Sequence, residues 1–513
     1  MGGKGMEQAK FYDRPPYGII TILMIGAFIS MLNETLLNVA LPSIMKDLSV
    51  GASTVQWLAT GYMLVNGVMI PATAFLIQKY SVRGLFLTAM VLFTAGTIIA
   101  GFAHVFPLLL TARMIQAAGS AIMMPLLMNV MLTSFPPEKR GAAMGMFGLV
   151  FIFAPAVGPT LSGYLIEHNS WRILFHLVSP IAAVTLVVGF FLLKDKKEKI
   201  VLQLDILSLV LSSIAFGGLL YGFSSAGDKG WDSPYVYVTI AAGAICLVLF
   251  IVRQNFLDKP MLNFKVYKYP MFALSSAISI VISMAMFSAM LLMPIYLQTL
   301  RGISPVKSGL LLLPGSLLMG IMSPITGKLF DKFGGRALAV IGLVIMTFTT
   351  YMFSNLTFDT SYTTLILLYS ARMFGMSMVM MPVMTNGLNQ LPAHLYPHGT
   401  AMNNTLQQVS GAIGSALLVT IMSNRTETHA KDMAASAMKH MTGQPTAEAA
   451  AAMKQQIAMK AALEGINDSF LVSVGIACVA LILAFFIQRV KQTGSPFGAM
   501  PANSESAKNL AEN

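Results

Sequence analysis

Glu34 lies inside a long apolar run, from about Tyr17 to Leu41, and is the one acidic residue well within any such run of the chain. A charged side chain at that depth in a membrane costs at least ~2.5 kcal/mol on insertion scales, so an intramembrane carboxylate is a functional candidate by default. A low-dielectric surrounding disfavours the charged form of a carboxyl group, which suits a group that must take up and give back a proton. The same acid could serve as counter-charge to a cationic ligand. Counted from the end of the apolar run, Glu34 sits roughly 12 Å deep at about 1.5 Å per residue. Two arginines, Arg113 and Arg372, also fall inside apolar runs. A guanidinium stays charged at any relevant pH, so its part would be to tune a carboxylate or bind carbonyls, not to carry a proton. Asn403, Gln407 and Ser410 recur at spacings of four and three, on one helical face with Gly414. Polar groups at membrane depth face protein or a water-filled cavity, so this stripe is a candidate cavity wall or an interhelical hydrogen-bonding seam.

Other chemistries find no residues to work with. A phosphate loop of the Gly-x4-Gly-Lys-Ser/Thr form is missing, so ATP is not the expected energy source. His394 and His398 are four apart, but Pro392 and Pro397 argue against a helix that would converge them on a metal. Cys246 and Cys478 each lie in an apolar run and read as small hydrophobes. Methionine is abundant, with 39 residues in the chain, and it crowds the ninth and twelfth apolar runs, as at Met284, Met290, Met376 and Met380. Thioethers of this kind serve either as packing filler or as an adaptable binding surface.

The elements that must position these residues follow from composition. Of the 513 residues 56% are hydrophobic and 11% charged, against about 25% charged in a soluble domain. Stretches of roughly 20 apolar residues, the length that crosses about 30 Å of hydrocarbon, predict fourteen spanning helices: 17–41, 54–78, 84–103, 106–133, 141–165, 172–193, 204–225, 234–255, 271–297, 306–330, 336–355, 360–388, 401–423 and 467–488. The first run is too long for a signal-peptide core and is expected to stay as a helix. An even count puts both termini on one side. The connections on that side hold most of the 33 Lys and Arg, including Lys194, Lys196, Lys197, Lys199, Lys259, Lys265 and Lys268, so the termini are expected to be cytoplasmic. The net charge of +12 then reflects topology and anionic lipid, not nucleic acid. Segment 424–466, rich in Ala, Met, Lys and Glu, reads as surface helix outside the membrane.

An internal repeat organises the runs. Ala112-Arg113-Met114, Gly119 and Met123-Met124-Pro125 have a counterpart in Ala371-Arg372-Met373, Gly375 and Met380-Met381-Pro382. The match pairs helices 4 and 12, which correspond if helices 1–6 and 9–14 are two halves around a midplane site. The predicted organisation is a terminus over 1–16, a six-helix bundle over 17–193, inserted helices 7 and 8 with linkers over 194–270, a second six-helix bundle over 271–490 and a tail over 491–513.

Four motifs resemble those of the major facilitator superfamily, and within it the fourteen-helix drug:proton antiporters of the EmrB/QacA type, over about residues 17 to 490. On helix 5, Gly148, Ala154-Pro155, Gly158-Pro159 and Gly163 look like the antiporter signature; its prolines remove backbone donors and its glycines admit a neighbouring helix. Helix 1 carries Leu32-Asn33-Glu34-Thr35 before Asn38-Val39-Ala40-Leu41-Pro42, similar to the first-helix motif usually written with Asp-x-Thr. Asn33 takes the usual aspartate position and the acid stands one residue on, about 100° around the helix. On helix 4, Leu110, Arg113, Gln116 and Gly119 resemble the arginine motif implicated in proton coupling. Gly327, Asp331, Gly334 and Arg336 look like the cytoplasmic-loop motif that holds the inner gate shut, whereas the first-half loop departs from it at Gln78 and Ser81.

The resemblance implies an all-α integral membrane protein with the major-facilitator fold, two six-helix bundles plus two inserted helices, and no enzymatic activity. It implies export of lipophilic, often cationic, drugs or antibiotics across a bacterial cytoplasmic membrane by alternating access. No cofactor is implied, the proton gradient being the energy source, and the expected partners are small lipophilic substrates, protons and the bilayer, with the chain acting as a monomer. Glu34 and Arg113 become the proton-coupling pair. Asn33, Asn38, Gln116, Asn403, Gln407 and Ser410 become candidate cavity residues, and Gly327, Asp331 and Arg336 the cytoplasmic gate. The Asn-Glu-Thr form of helix 1 looks most like lincosamide exporters. A dedicated exporter of one metabolite or lipid, or a membrane sensor without turnover, would use the same fold.

Overall fold

The computed structural model describes residues 17–134, 140–194, 205–230, 232–257, 260, 262–392, 395–440 and 447–488. The described residues form long helices joined by short turns. In chain order these are α1 (Tyr17–Leu48), α2 (Trp57–Lys79), α3 (Val82–Gly101), α4 (Phe106–Ser134), α5 (Arg140–His168), α6 (Ile173–Leu192), α7 (Ile206–Lys229), α8 (Pro234–Phe256), α9 (Pro270–Ile295), the continuous segment Pro305–Phe353, α12 (Tyr362–Leu388), α13 (Tyr396–His440) and α14 (Ala447–Ala484). Pro305–Phe353 turns at Gly334, where φ is 80° and ψ 168°, so its two arms are α10 and α11. That backbone region is essentially open to glycine alone. Twelve of these helices are long and apolar enough to cross a bilayer. With α2 and α5, packed among them, they make the fourteen that the hydropathy predicts.

Local sequence sets the helix starts. Ser81, Asp205, Ser304 and Ser361 accept from the amides of Gly84, Ser208, Lys307 and Thr364, capping α3, α7, α10 and α12. Pro234, Pro270 and Pro305 stand in the first turns of α8, α9 and α10, where the missing amide is no loss. Two boundaries differ from the sequence reading. Helix α1 runs on to Leu48 through Pro42, because the polar residues Lys46 and Asp47 end the apolar run without ending the hydrogen-bonded turns. Segment 424–466 is helical over 424–440 and 447–466, as the continuations of α13 and α14. The α13 extension is tied to α14 at Asp468, which accepts from Arg425 Nε and lies 2.9 Å from His429 Nε2.

Helices α1 to α6 pack as one bundle and α9 to α14 as another. Each half contains an arginine helix laid tightly on its predecessor. A Cβ at Gly119 would stand 2.4 Å from Ala89 O, and one at Gly375 would stand 2.7 Å from Gly342 O, so α3–α4 and α11–α12 repeat the same close crossing. Between the halves, α5 lies along α10 and α2 along α13. Helix α7 packs on both α2 and α13, where Trp57 meets Tyr221 and where Met63, Leu220, Ala412 and Ala416 form a small buried cluster. Helix α8 packs on α7 and turns Val238, Ile245, Val248 and Phe256 outward, the face that lipid tails cover.

Candidate functional site

With α1 ending at Leu48, Glu34 sits about 21 Å from that end and about 26 Å from Tyr17, at about 1.5 Å per residue. It is therefore close to the middle of the helix, the added turns being those that carry Lys46 and Asp47 beyond the apolar run. Its neighbour Asn33 is 2% exposed and accepts a 2.6 Å hydrogen bond from Arg113 of α4. Arg113 also donates to Gln116 Oε1, Gln116 Nε2 donates to Thr97 Oγ1 at 2.7 Å, and Thr97 donates to Phe93 O. The guanidinium carbon lies 4.2 Å from the centre of the Tyr62 ring of α2, a cation–π arrangement. Helices α1, α2, α3 and α4 thus converge on one buried cation.

The carboxylate does not close that network. Glu34 is half-buried and takes part through the field, acting electrostatically on Arg113 and Tyr62, while Arg113 directs its hydrogen bonds to neutral amides. Turning the acid by one position leaves the guanidinium hydrogen-bonded but not ion-paired. Arg113 Nε is buried without a hydrogen-bond partner among the described residues.

The second half repeats the arrangement without any acid. Arg372 of α12 is 1% exposed; it donates to Thr350 Oγ1 of α11 and, at 2.9 Å, to the carbonyl of Ala285 of α9. Thr350 stands on α11 as Thr97 stands on α3, and the Ala285 carbonyl takes the place that the Asn33 side chain has on α1.

The helix 5 motif packs at two contacts. Thr35 of α1 donates to Ala154 O at 3.2 Å, and a Cβ on Gly158 would lie 2.2 Å from Thr35 Oγ1. At Gly163 a Cβ would lie 2.2 Å from Pro305 O, and at Gly309 one would lie 2.2 Å from Pro159 O, so α5 and α10 touch backbone to backbone. Pro155 is half-buried in the same helix. Gly148 belongs to α5 at a position whose surroundings lie outside the description.

The halves meet at the end where α5 touches α10. Hydrogen bonds that join the halves among the described residues include Gln298 Nε2 to Val39 O at 2.8 Å, Val306 N to Glu167 Oε2 at 3.2 Å, Thr160 Oγ1 to Gly309 O at 3.4 Å, and Ser53 Oγ with Ser423 Oγ at 2.9 Å. All lie toward the end of the bundle opposite the termini. Nearby, Asp47 at the end of α1 accepts from Trp171 Nε1 at 3.0 Å and Arg172 at 2.8 Å, tying α1 to the α5–α6 turn.

Asn38 is buried one turn beyond Glu34. On α13, Asn403 and Ser410 are buried and Gln407 is half-buried, its Nε2 3.9 Å from Met380 Sδ of α12. This stripe is separate from the arginine network. In the loop motif Gly327 and Arg336 are exposed, and the Asp331 side chain lies outside the description. The sequence missed Tyr62, whose ring faces Arg113, and Thr97, which accepts from Gln116; neither belongs to a motif, and a lone Tyr and a lone Thr in spanning helices carry no spacing signal.

The family model described as Major Facilitator Superfamily matches residues 23–415. The chain belongs to that superfamily. It is 54% identical to the uncharacterized MFS-type transporter YhcA of Bacillus subtilis (strain 168) over 419 residues, 82% of this chain and 79% of the relative. It is 43% identical to the lincomycin resistance protein LmrB of the same organism over 92% of this chain and 96% of that one. The fold matches, with a TM-score of 0.64 and 15% identity over 92% and 96% of the two chains, the crystal structure of a bacterial homologue of the human lysosomal transporter Spinster in an inward-facing and unoccupied conformation. This major facilitator protein is thus a multi-pass membrane transporter and not an enzyme.

Proposed function

We propose that this transporter is a proton-coupled exporter of small lipophilic compounds, drugs among them, from the cytoplasm. The observation that carries the reading is Glu34: an acid in the middle of α1, half-buried, within the field of a buried arginine whose hydrogen bonds go to neutral groups. A carboxylate already hydrogen-bonded to Arg113 would be held ionised, whereas one left outside the network is free to change its proton. The relatives named as lincomycin resistance proteins support export of drugs.

The positive-inside pattern supports cytoplasmic termini, and with that orientation the end where α5 meets α10 faces outward. Glu34 then communicates with the cytoplasmic side: it releases its proton there and a substrate enters. Rocking of the two halves exposes the site to the outside, where protonation of Glu34 favours substrate release. Arg113 stays charged throughout and sets the electrostatic cost of the ionised and neutral acid. The chain acts as a monomer without a cofactor.

The test is transport by purified protein in liposomes with an imposed pH gradient, comparing wild type with Glu34→Gln. Gradient-driven substrate movement in wild type that becomes uncoupled in Glu34→Gln is the expected result. Normal coupling in the variant would move the proton site elsewhere, and no movement across a diverse panel would end the drug-export reading.

A further inference from the structure

The buried charges do not balance, and the imbalance bears on what can be carried. Within the spanning segments the described ionisable charges at mid-depth are Glu34, Arg113 and Arg372. Both arginines are 1% exposed, and their hydrogen bonds go to side-chain amides, a hydroxyl and a backbone carbonyl. Neither forms an ion pair among the described residues. With Glu34 ionised the interior carries one net positive charge, and with Glu34 protonated it carries two.

A cation entering this interior would meet one carboxylate, already within the field of Arg113, and a second arginine with no acid of its own. The acid of the first-helix motif stands one position on, at Glu34, and Asn33, the residue that meets Arg113, is neutral. Capacity for neutral recognition is present instead. The side-chain amide oxygens of Asn66 on α2 and Gln408 on α13 are buried without hydrogen-bond partners among the described residues. The two helices face each other there, since a Cβ on Gly67 would touch Val409 and Gln408. Unpaired buried acceptors are costly until a donor reaches them, and hydroxyl or amide groups of a ligand can do so without bringing charge.

We infer that the substrates are uncharged or acidic amphiphiles recognised through hydrogen bonds, and that permanent cations are excluded. This rests on the exporter reading and narrows its substrate class. The net positive interior, two buried arginines against one acid, is the discriminating element.

The experiment uses one amphiphilic scaffold in three forms, uncharged, carboxylated and permanently quaternised. Binding is measured on the full chain in nanodiscs and gradient-driven flux in proteoliposomes. The uncharged and carboxylated forms are expected to bind at least tenfold more tightly than the quaternised one. Asn33→Asp, which places an acid beside Arg113, is expected to shrink that ratio about tenfold. If the quaternised form binds wild type within twofold of the uncharged form, the inference is overturned, whatever the variant does. Absence of flux for every form would instead overturn the exporter reading, with the binding ranking still deciding the charge rule.

Discussion

Gly163→Ala tests whether the α5–α10 contact sets the conformation. The added methyl would lie 2.2 Å from the carbonyl oxygen of Pro305 and within 2.9 Å of Val306 Cα. Both are backbone atoms, so no rotamer change relieves the clash, and ordinary carbon contacts need about 3.5 Å or more. The helices must part by about 1 Å, which strains the neighbouring bond from Val306 N to Glu167. Overpacking of this kind costs about 1–3 kcal/mol, which shifts a two-state equilibrium by about 5- to 150-fold. The penalty falls on the state in which α5 and α10 touch, so the population moves toward one that is open at that end. Spin labels at His168→Cys and Lys307→Cys, both exposed positions, in a background lacking Cys246 and Cys478, would report the shift as a longer distance by pulsed electron resonance. Gly475→Ala is the control, because a Cβ there meets nothing within 4 Å. An unchanged distance distribution in a folded Gly163→Ala protein would refute the idea that this contact holds the end shut.

Three further outcomes follow. Arg113→Lys keeps the charge but loses the flat guanidinium that lies over the Tyr62 ring; gradient-driven transport should fall at least about tenfold at unchanged expression, and full activity would show that charge alone suffices. Gly334→Ala forces a side chain onto φ 80° and should cost about 1–3 kcal/mol, seen as a lower melting temperature in detergent; an unchanged melt would mean that the turn relaxes freely. At Asp205, burial pushes the carboxyl up, but hydrogen bonds from Arg253 and Ser208 outweigh it and hold the acid below its usual range. Its contribution to stability is therefore complete above the ordinary carboxylate pKa and lost as pH falls through the lower folded value. Melting curves between pH 6 and pH 3 should show a steeper acid loss in wild type than in Asp205→Asn, and parallel curves would argue against the pairing.

Much of the architecture was readable from hydropathy, because a bilayer demands long apolar helices and leaves few alternatives. The fourteen helices and the α4/α12 repeat appear where Arg113 and Arg372 suggested. What could not be read is which side chains meet across helices. Asn33 and Arg113 stand in separate motifs, and no periodicity within either helix says that they touch; Tyr62 joins them from a third helix with no motif at all. The end of α1 was misplaced for a different reason: apolarity and helicity diverge at Lys46 and Asp47, where the chain leaves the apolar run before it stops being a helix. Segment 424–466 makes the same point: its composition read as surface helix, but not as two helices that continue α13 and α14.

The position of α7 over the α2–α13 seam carries a consequence for how the transporter meets its lipid. Any movement that parts α2 from α13 must also peel α7 from one of them and uncover Met63, Leu220, Ala412 or Ala416. In a bilayer the cost of that uncovering is lost packing and the ordering of acyl chains that fill the gap, not hydration. The inserted pair therefore makes one flank of the molecule sensitive to the thickness and order of the surrounding membrane, so that lipid composition becomes a control on the rate of opening.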